Sequence, residues 1–157
     1  MNDDNGNDIV IQQTSGGSDL ARVRELRYEI LRKPLGLPFA SSSITGDEDE
    51  STIHLQAVSA SQLIGCASLL MDESSSIQLR GMAVAADWQG RGVGQRIVET
   101  AVDIATARAK TLWCNARISA IGFYERHGWK QSGPIIDVPM LGQHVVMKWS
   151  RNLKNDV

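Results

Sequence analysis

A mixed α/β fold is what this chain predicts: one central, mostly antiparallel sheet with helices on both faces. Three observations carry that expectation. Strand-like runs at residues 53–59, 63–71 and 77–84 follow one another through short links, the pattern of an antiparallel meander. A helix-period segment at 92–108 then separates the third run from a further one at 111–114, as a strand–helix–strand crossover does. Length and composition supply the third: 157 residues, 42% hydrophobic and 22% charged, suit a single globular domain and argue against wholesale disorder or a fibrous repeat.

The elements follow in order. Residues 8–13 (DIVIQQ) read as a first strand, closed by a Thr-Ser-Gly-Gly-Ser turn. Ser18 is placed to cap a helix whose apolar positions Leu20, Val23, Leu26 and Ile30 recur at helical steps, and Pro34 stops it. Residues 34–51 mix Pro, Gly, Ser and an acidic run, so a mobile loop with a short helical turn is expected, with residues 41–43 as plain loop. Ala60 to Gln62 form a tight strand connection. The helix at 92–108 buries Val93, Ile97, Ala101, Ile104 and Ala105 and turns Gln95, Arg96, Glu99, Asp103 and Thr106 to water. A helix at 118–127 ends at Gly128 as a left-handed cap, and residues 144–149 (HVVMKW) alternate as a final strand. The domain is expected to span 8–150, with disordered residues 1–7 before it and a tail at 151–157.

Charge and motif absences narrow the function. Sixteen Lys+Arg against eighteen Asp+Glu give a net charge of −2, unlike a protein that grips nucleic acid by releasing counterions. No apolar run approaches the ~20 residues of a bilayer span, and the opening MNDDNGND is acidic where a signal peptide is basic. Cys66 and Cys114 make no disulfide framework, which suits a reducing compartment; a cytoplasmic protein with neither membrane nor nucleic-acid partner is expected. His54, His127 and His144 are scattered with no metal-binding spacing, so no metal site is expected. No GxSxG nucleophile elbow occurs.

The informative segment is Gln89-Gly90-Arg91-Gly92-Val93-Gly94, between a strand and a helix. A helix start leaves about four backbone N–H groups without intrahelical partners and carries roughly half a positive charge. Glycines let the main chain approach a ligand, so those donors can surround a phosphate, with Gln89 and Arg91 at the rim. The plainer alternative is a tight corner, but three alternating glycines cost conformational entropy that a corner does not require. A mononucleotide loop needs GxxxxGK[ST], and the dinucleotide fingerprint GxGxxG fails because position 95 is Gln.

Met82-Ala83-Val84 followed by this turn resembles the acetyl-CoA-binding motif of the GNAT N-acetyltransferase superfamily, Q/R-x-x-G-x-G/A after a strand. Residues 115–129 (NARISAIGFYERHGW) resemble its second signature, N-x-x-A-x-x-F-Y-x-x-x-G-F, with Trp129 for the usual Phe. Residues 25–38, 47–50, His54-Leu55 and 144–148 are further similar to a small bacterial acetyltransferase subgroup, and Ala86 stands where many members have proline.

That resemblance implies transfer of an acetyl group from acetyl-CoA, as co-substrate, to an amine, in a sheet whose two central strands splay around the cofactor. It places backbone groups of Met82, Ala83 and Val84 along the pantetheine arm. Gln89, Gly90, Arg91, Gly92, Val93 and Gly94 wrap the pyrophosphate, Asn115 contacts the cofactor, and Tyr124 lies near the thioester sulfur. Direct attack needs a neutral amine, an oxyanion donor and a proton for the leaving thiolate. A backbone N–H near Met82 or Ala83 suits the second need. A tyrosine of pKa about 10 can protonate a thiolate of pKa about 8.5, which makes Tyr124 the acid; its plainer role is core packing beside Phe123.

No base stands out. Many members have a Glu on the strand before the motif, whereas residues 77–80 are Ile, Gln, Leu and Arg, leaving Glu29, Asp72, Glu73 and His144 as candidates. His127 and His54 read as structural, Cys114 as a small buried residue, and the four tryptophans as core or rim packing. The acidic run at 47–50 reads as a solvated loop, or alternatively as a lure for a cationic amine. The acceptor, a small molecule or peptide amine, would meet the first helix, residues 34–51 and residues 134–144. A homodimer is compatible with the family. The readings that compete with an enzyme are a non-catalytic acyl-CoA sensor on the same scaffold and a nucleotide-binding regulator.

Overall fold

The computed structural model describes residues 8–15, 19–72 and 75–151. Strands β1 (Val10–Ser15), β2 (Ile53–Ser59), β3 (Gln62–Met71) and β4 (Ser76–Val84) pair antiparallel in that order, as the meander pattern predicts. β5 (Thr111–Arg117) runs parallel to β4. The short β6 (Lys130–Gln131) and β7 (Ile136–Val138) both pair with β8 (Gly142–Trp149), which lies antiparallel on β5. Ala60 and Ser61, at φ 47° and 66°, form the tight β2–β3 turn, both in the left-handed region that matches strand twist.

Helices cover both faces. α1 (Leu20–Arg27) packs Leu20 and Val23 on Cys66 and Ala83. α2 (Val93–Ala107) and α3 (Ile121–Arg126) cover the other face, where Val93, Ile97, Ala101 and Ala105 meet Leu55, Ile64 and Leu69. Within the α2 stripe, Val98 is fully buried and Ile104 only partly so. Gly65 on β3 lets α2 sit close: a Cβ there would lie 2.7 Å from Val93 Cγ1 and 3.0 Å from Ile97 Cδ1. Gly65→Ala should therefore destabilise by about 1–3 kcal/mol through overpacking, read as a lowered urea midpoint at unchanged slope.

Several boundaries differ from expectation. β1 lies two residues further on, at 10–15, and β5 continues to Arg117 because its pairing with β8 runs on to Arg117 opposite His144. The helix expected at 118–127 is a 3-10 turn (Ile118–Ala120) followed by α3, and Gly128 follows it at φ 87°. The Ser18 cap, residues 1–7 and most of the 151–157 tail lie outside the described residues. α1 ends at Arg27; a π turn (Tyr28–Arg32) and a 3-10 turn (Lys33–Leu35) carry the chain through Pro34. Proline has no N–H for the carbonyl of Ile30, so regular α-helix cannot continue through it.

Residues 34–51 contain the short helical turn expected, but the loop is anchored to the body of the protein. They fold as a strap with a 3-10 turn (Phe39–Ser42), and Ser42, Ile44 and Asp47 are buried. The cause is one ion pair: Arg27 Nη1 and Nη2 each donate to an Asp47 carboxylate oxygen at 2.8 Å, with the side chains 2% and 1% exposed. Asp47 is thus the exception in the acidic run, while Glu48, Asp49 and Glu50 remain exposed as expected. The network continues inward. Arg27 Nη2 donates to Ser68 Oγ at 2.6 Å, Ser68 Oγ lies 2.7 Å from His54 Nδ1, and His54 Nε2 donates to the Asp47 carbonyl at 2.8 Å. His54 is structural, as expected.

Candidate active site

β4 and β5 are hydrogen-bonded only where residues 76, 77 and 78 face 111, 112 and 113. Beyond that point the strands part, and a cavity of about 280 Å³ opens between them. A bulge in β4 accompanies the parting: Ser68 faces Arg80 and Cys66 faces Ala83, so Gly81 and Met82 together oppose Ala67. Gly81 has φ 61°, and a Cβ there would come within 2.7 Å of Arg27 Nε. Only glycine meets both conditions. The one sequence signal for this bulge was a lone glycine inside a strand pattern.

The glycine turn lies at the end of β4. Gly90 and Gly92 have φ 76° and 84°, and a Cβ on either would touch nothing within 4 Å. Gln89, Gly90, Arg91 and Gly92 are exposed, and no side chain caps α2, so its first-turn amides have no side-chain partner. Gln89 Nε2 donates to the Val84 carbonyl at 3.0 Å, tying the turn to the strand. Arg91 lies over the Trp88 ring, 4.0 Å from its centroid, and donates to the Asp87 carbonyl at 3.4 Å. Val93 and Ala83 are buried, their side chains packed in the core. Gly94 is the glycine least required: its Cβ would make only ordinary contacts, the shortest 3.7 Å to Phe123.

Met82, Asn115 and Tyr124 all line the cavity. Tyr124 packs between Phe123 and Trp129, with ring centroids 5.2 and 5.0 Å away, and its hydroxyl is hydrogen-bonded to the Cys114 thiol. Burial first, and Cys114 second, push the tyrosine well above its ordinary pKa. Burial pushes the Cys114 thiol up to about 12, the inert packing role expected of it. Counted back from Ala120, the second signature's asparagine position falls on Arg117 and not on Asn115, so an arginine occupies the motif position. Asn115 still faces the cavity, from two residues earlier on β5.

Among the candidate bases that are described, only His144 lines this cavity. Glu29 is exposed and pairs with Lys33 at 3.5 Å, Asp72 accepts from Ser76 at 2.6 Å away from the cavity, and Glu73 lies outside the described residues. His144 Nδ1 is 2.9 Å from the Gly142 carbonyl, which can only accept, so that nitrogen carries the proton. In the neutral ring Nε2 then keeps its lone pair. His127 packs on Phe123, centroids 4.8 Å apart, at the end of α3. The lure for a cationic amine fails on two counts: Asp47 is paired with Arg27, and no carboxylate among the described residues lines the cavity. Three arginines do line it, Arg32, Arg80 and Arg117, a convergence of distant positions that sequence reading missed.

No helix among the described residues is long and apolar enough to cross a membrane. Residues 50–131 match the acetyltransferase (GNAT) domain family. The chain is 32% identical over 130 residues to the uncharacterized N-acetyltransferase YitI of Bacillus subtilis (strain 168), covering 78% of this chain and 86% of that protein. An acyl-CoA N-acyltransferase from Pseudomonas aeruginosa has the same fold, with a TM-score of 0.81 at 17% identity over 90% of this chain and 99% of that one. An aminoglycoside 6'-N-acetyltransferase complexed with coenzyme A gives a TM-score of 0.71 at 15% identity, covering 89% of this chain and 96% of that one. The splayed sheet, the matched domain and the Bacillus relative together make this chain a member of the GNAT family of acetyltransferases, and so an acyltransferase enzyme.

Proposed function

We propose that this enzyme transfers the acetyl group of acetyl-CoA to a primary amine by direct attack. The open, glycine-built start of α2 beside the β4–β5 cavity is the observation that carries the reading. Its fit to a pyrophosphate rests on side-chain space left empty at Gly90 and Gly92 and on uncapped amides. When bound there, acetyl-CoA supplies the activated acyl group.

The chain's own residues do the rest. Main-chain groups of Gln89, Gly90, Arg91, Gly92, Val93 and Gly94 hold the diphosphate. Those of Met82, Ala83 and Val84 hold the pantetheine arm, and Asn115 approaches from β5. The bulge at Gly81 and Met82 interrupts the β3–β4 ladder, so of the two expected donors Met82 N–H is the oxyanion donor in this reading, the Ala83 N–H being engaged by the Cys66 thiol. Tyr124, kept protonated, donates to the departing sulfur. His144 Nε2 takes the proton that the amine must lose.

Coenzyme A should raise the unfolding temperature, and acetyl-CoA should release free thiol when amines are added. Binding without thiol release across a broad amine panel would favour the sensor reading instead; better protection by adenine dinucleotides would favour the nucleotide regulator. His144→Ala should lower thiol release at neutral pH by about tenfold or more. The deficit should shrink at alkaline pH, where the amine is already neutral. A deficit of constant size at every pH would assign His144 a merely structural role.

A further inference from the structure

We propose that the acceptor end of the β4–β5 cavity is an anion subsite formed by Arg32, Arg80 and Arg117, and that the amine acetylated here carries a carboxylate or phosphate. The inference rests on the acetyl-transfer reading of the same cavity and names the class of its acceptor. Three separate elements supply the cations: the π turn after α1, the bulged end of β4 and the last residue of β5. All three line the cavity, and no Asp or Glu among the described residues does.

Among the described residues none of the three is held in an ion pair, although the Asp47 carboxylate, itself paired with Arg27, acts favourably on Arg80. Arg32 Nε and Nη1 donate to the carbonyls of Ser41 and Leu31, at 3.2 and 3.3 Å, and Arg117 Nη2 donates to the Leu31 carbonyl at 3.4 Å. Arg80 has no hydrogen-bond or ion-pair partner among the described residues. Nearby Arg27 shows the contrast, since Asp47 matches its charge through two hydrogen bonds. The cavity cations feel one another: after burial, Arg117, Arg80 and Arg27 each hold the Arg32 guanidinium below its ordinary pKa. A chain of net charge −2 thus gathers three arginines with no ion pair among the described residues in one concavity, an arrangement that an incoming oxyanion relieves. The planar fork of arginine suits carboxylate and phosphate oxygens.

The subsite is separate from the pyrophosphate turn, because none of residues 89–94 lines the cavity. It shares the cavity with Tyr124 and His144, so an anion held by the arginines leaves the amine near the acid and the base. A volume of about 280 Å³ suits a small molecule. A polycationic amine would meet like charge.

The test compares β-alanine and O-phosphoethanolamine with ethanolamine and spermidine as acceptors for the full chain. The two anionic amines should release thiol with kcat/KM at least about tenfold above the other two. Arg80→Gln and Arg117→Gln should each raise KM for O-phosphoethanolamine by about tenfold, with Arg80→Lys recovering part of the loss and Arg80→Gln leaving coenzyme A affinity unchanged. Preference for ethanolamine or spermidine would overturn the proposal. So would an Arg80→Gln variant that weakens coenzyme A and spares the amine. If no amine releases thiol, the acetyl-transfer reading fails by itself. The subsite is then judged by binding: O-phosphoethanolamine should raise the unfolding temperature of the wild type more than that of Arg80→Gln, and equal shifts would sink it.

Discussion

Asp47→Ala should cost this protein about 3–5 kcal/mol of folding stability, the range for breaking one side of a buried ion pair. At this chain length that is a fall of about 6–20 °C in unfolding temperature. The carboxylate accepts both terminal nitrogens of Arg27 and the amide of Ile44 at 2.9 Å. Removing it strands a guanidinium that is 2% exposed, with only the Ser42 carbonyl and Ser68 Oγ as partners. Arg27 Nε already has no partner, so nothing nearby absorbs the charge. Removing both charges with Arg27→Met in the Asp47→Ala background should recover much of the loss, because an apolar pair carries no stranded ion. Urea unfolding of the single and double variants checks this, and a single-variant loss under about 1 kcal/mol would mean that water reaches the site.

The same pair sets an acid limit. Burial by itself raises the Asp47 carboxyl, but hydrogen bonds from Arg27 and the Ile44 amide, with the nearby Arg27 and Arg24 charges, hold it below the ordinary carboxylate range. With a lower pKa folded than the ~3.9 of an unfolded Asp, its contribution is complete above that value and is lost as pH falls through the folded one. Asp47→Asn should remove this part of the acid dependence.

How much of this was legible depended on whether a signal was local. The meander, the α2 stripe, the glycine turn and Gly128 each announce themselves within a few residues, and the structure has them where the pattern puts them, save that Val98 replaces Ile104 among the buried residues of α2. The Arg27–Asp47 pair joins positions 20 apart, and an aspartate inside DEDE reads as solvated because most such residues are. The bulge at Gly81 is a relation between two strands' registers, which neither strand states alone. Arg32, Arg80 and Arg117 meet because the sheet splays, so their convergence is a property of the fold. β6 and β7, of two and three residues, are too short to show alternation.

Tyr124→Phe should lower turnover at least about tenfold while leaving coenzyme A affinity unchanged, since the substitution removes only a proton donor. The ring between Phe123 and Trp129 stays, so packing survives, and loss of the bond to Cys114 costs about 1 kcal/mol or less. Burial keeps the phenol protonated through the working range, the state in which it can hand a proton to sulfur. Cys114 supplies the control. A thiol pushed up to about 12 is a poor nucleophile, so Cys114→Ala should retain turnover and accumulate no acetylated enzyme in the wild type's place. Mass spectrometry of the wild type mixed with acetyl-CoA alone reads the same point: an acetylated Cys114 would replace direct attack by a two-step route. If Tyr124→Phe instead turned over at the wild-type rate, the leaving thiolate would have to take its proton from water, and the buried hydroxyl would serve only to hold Cys114.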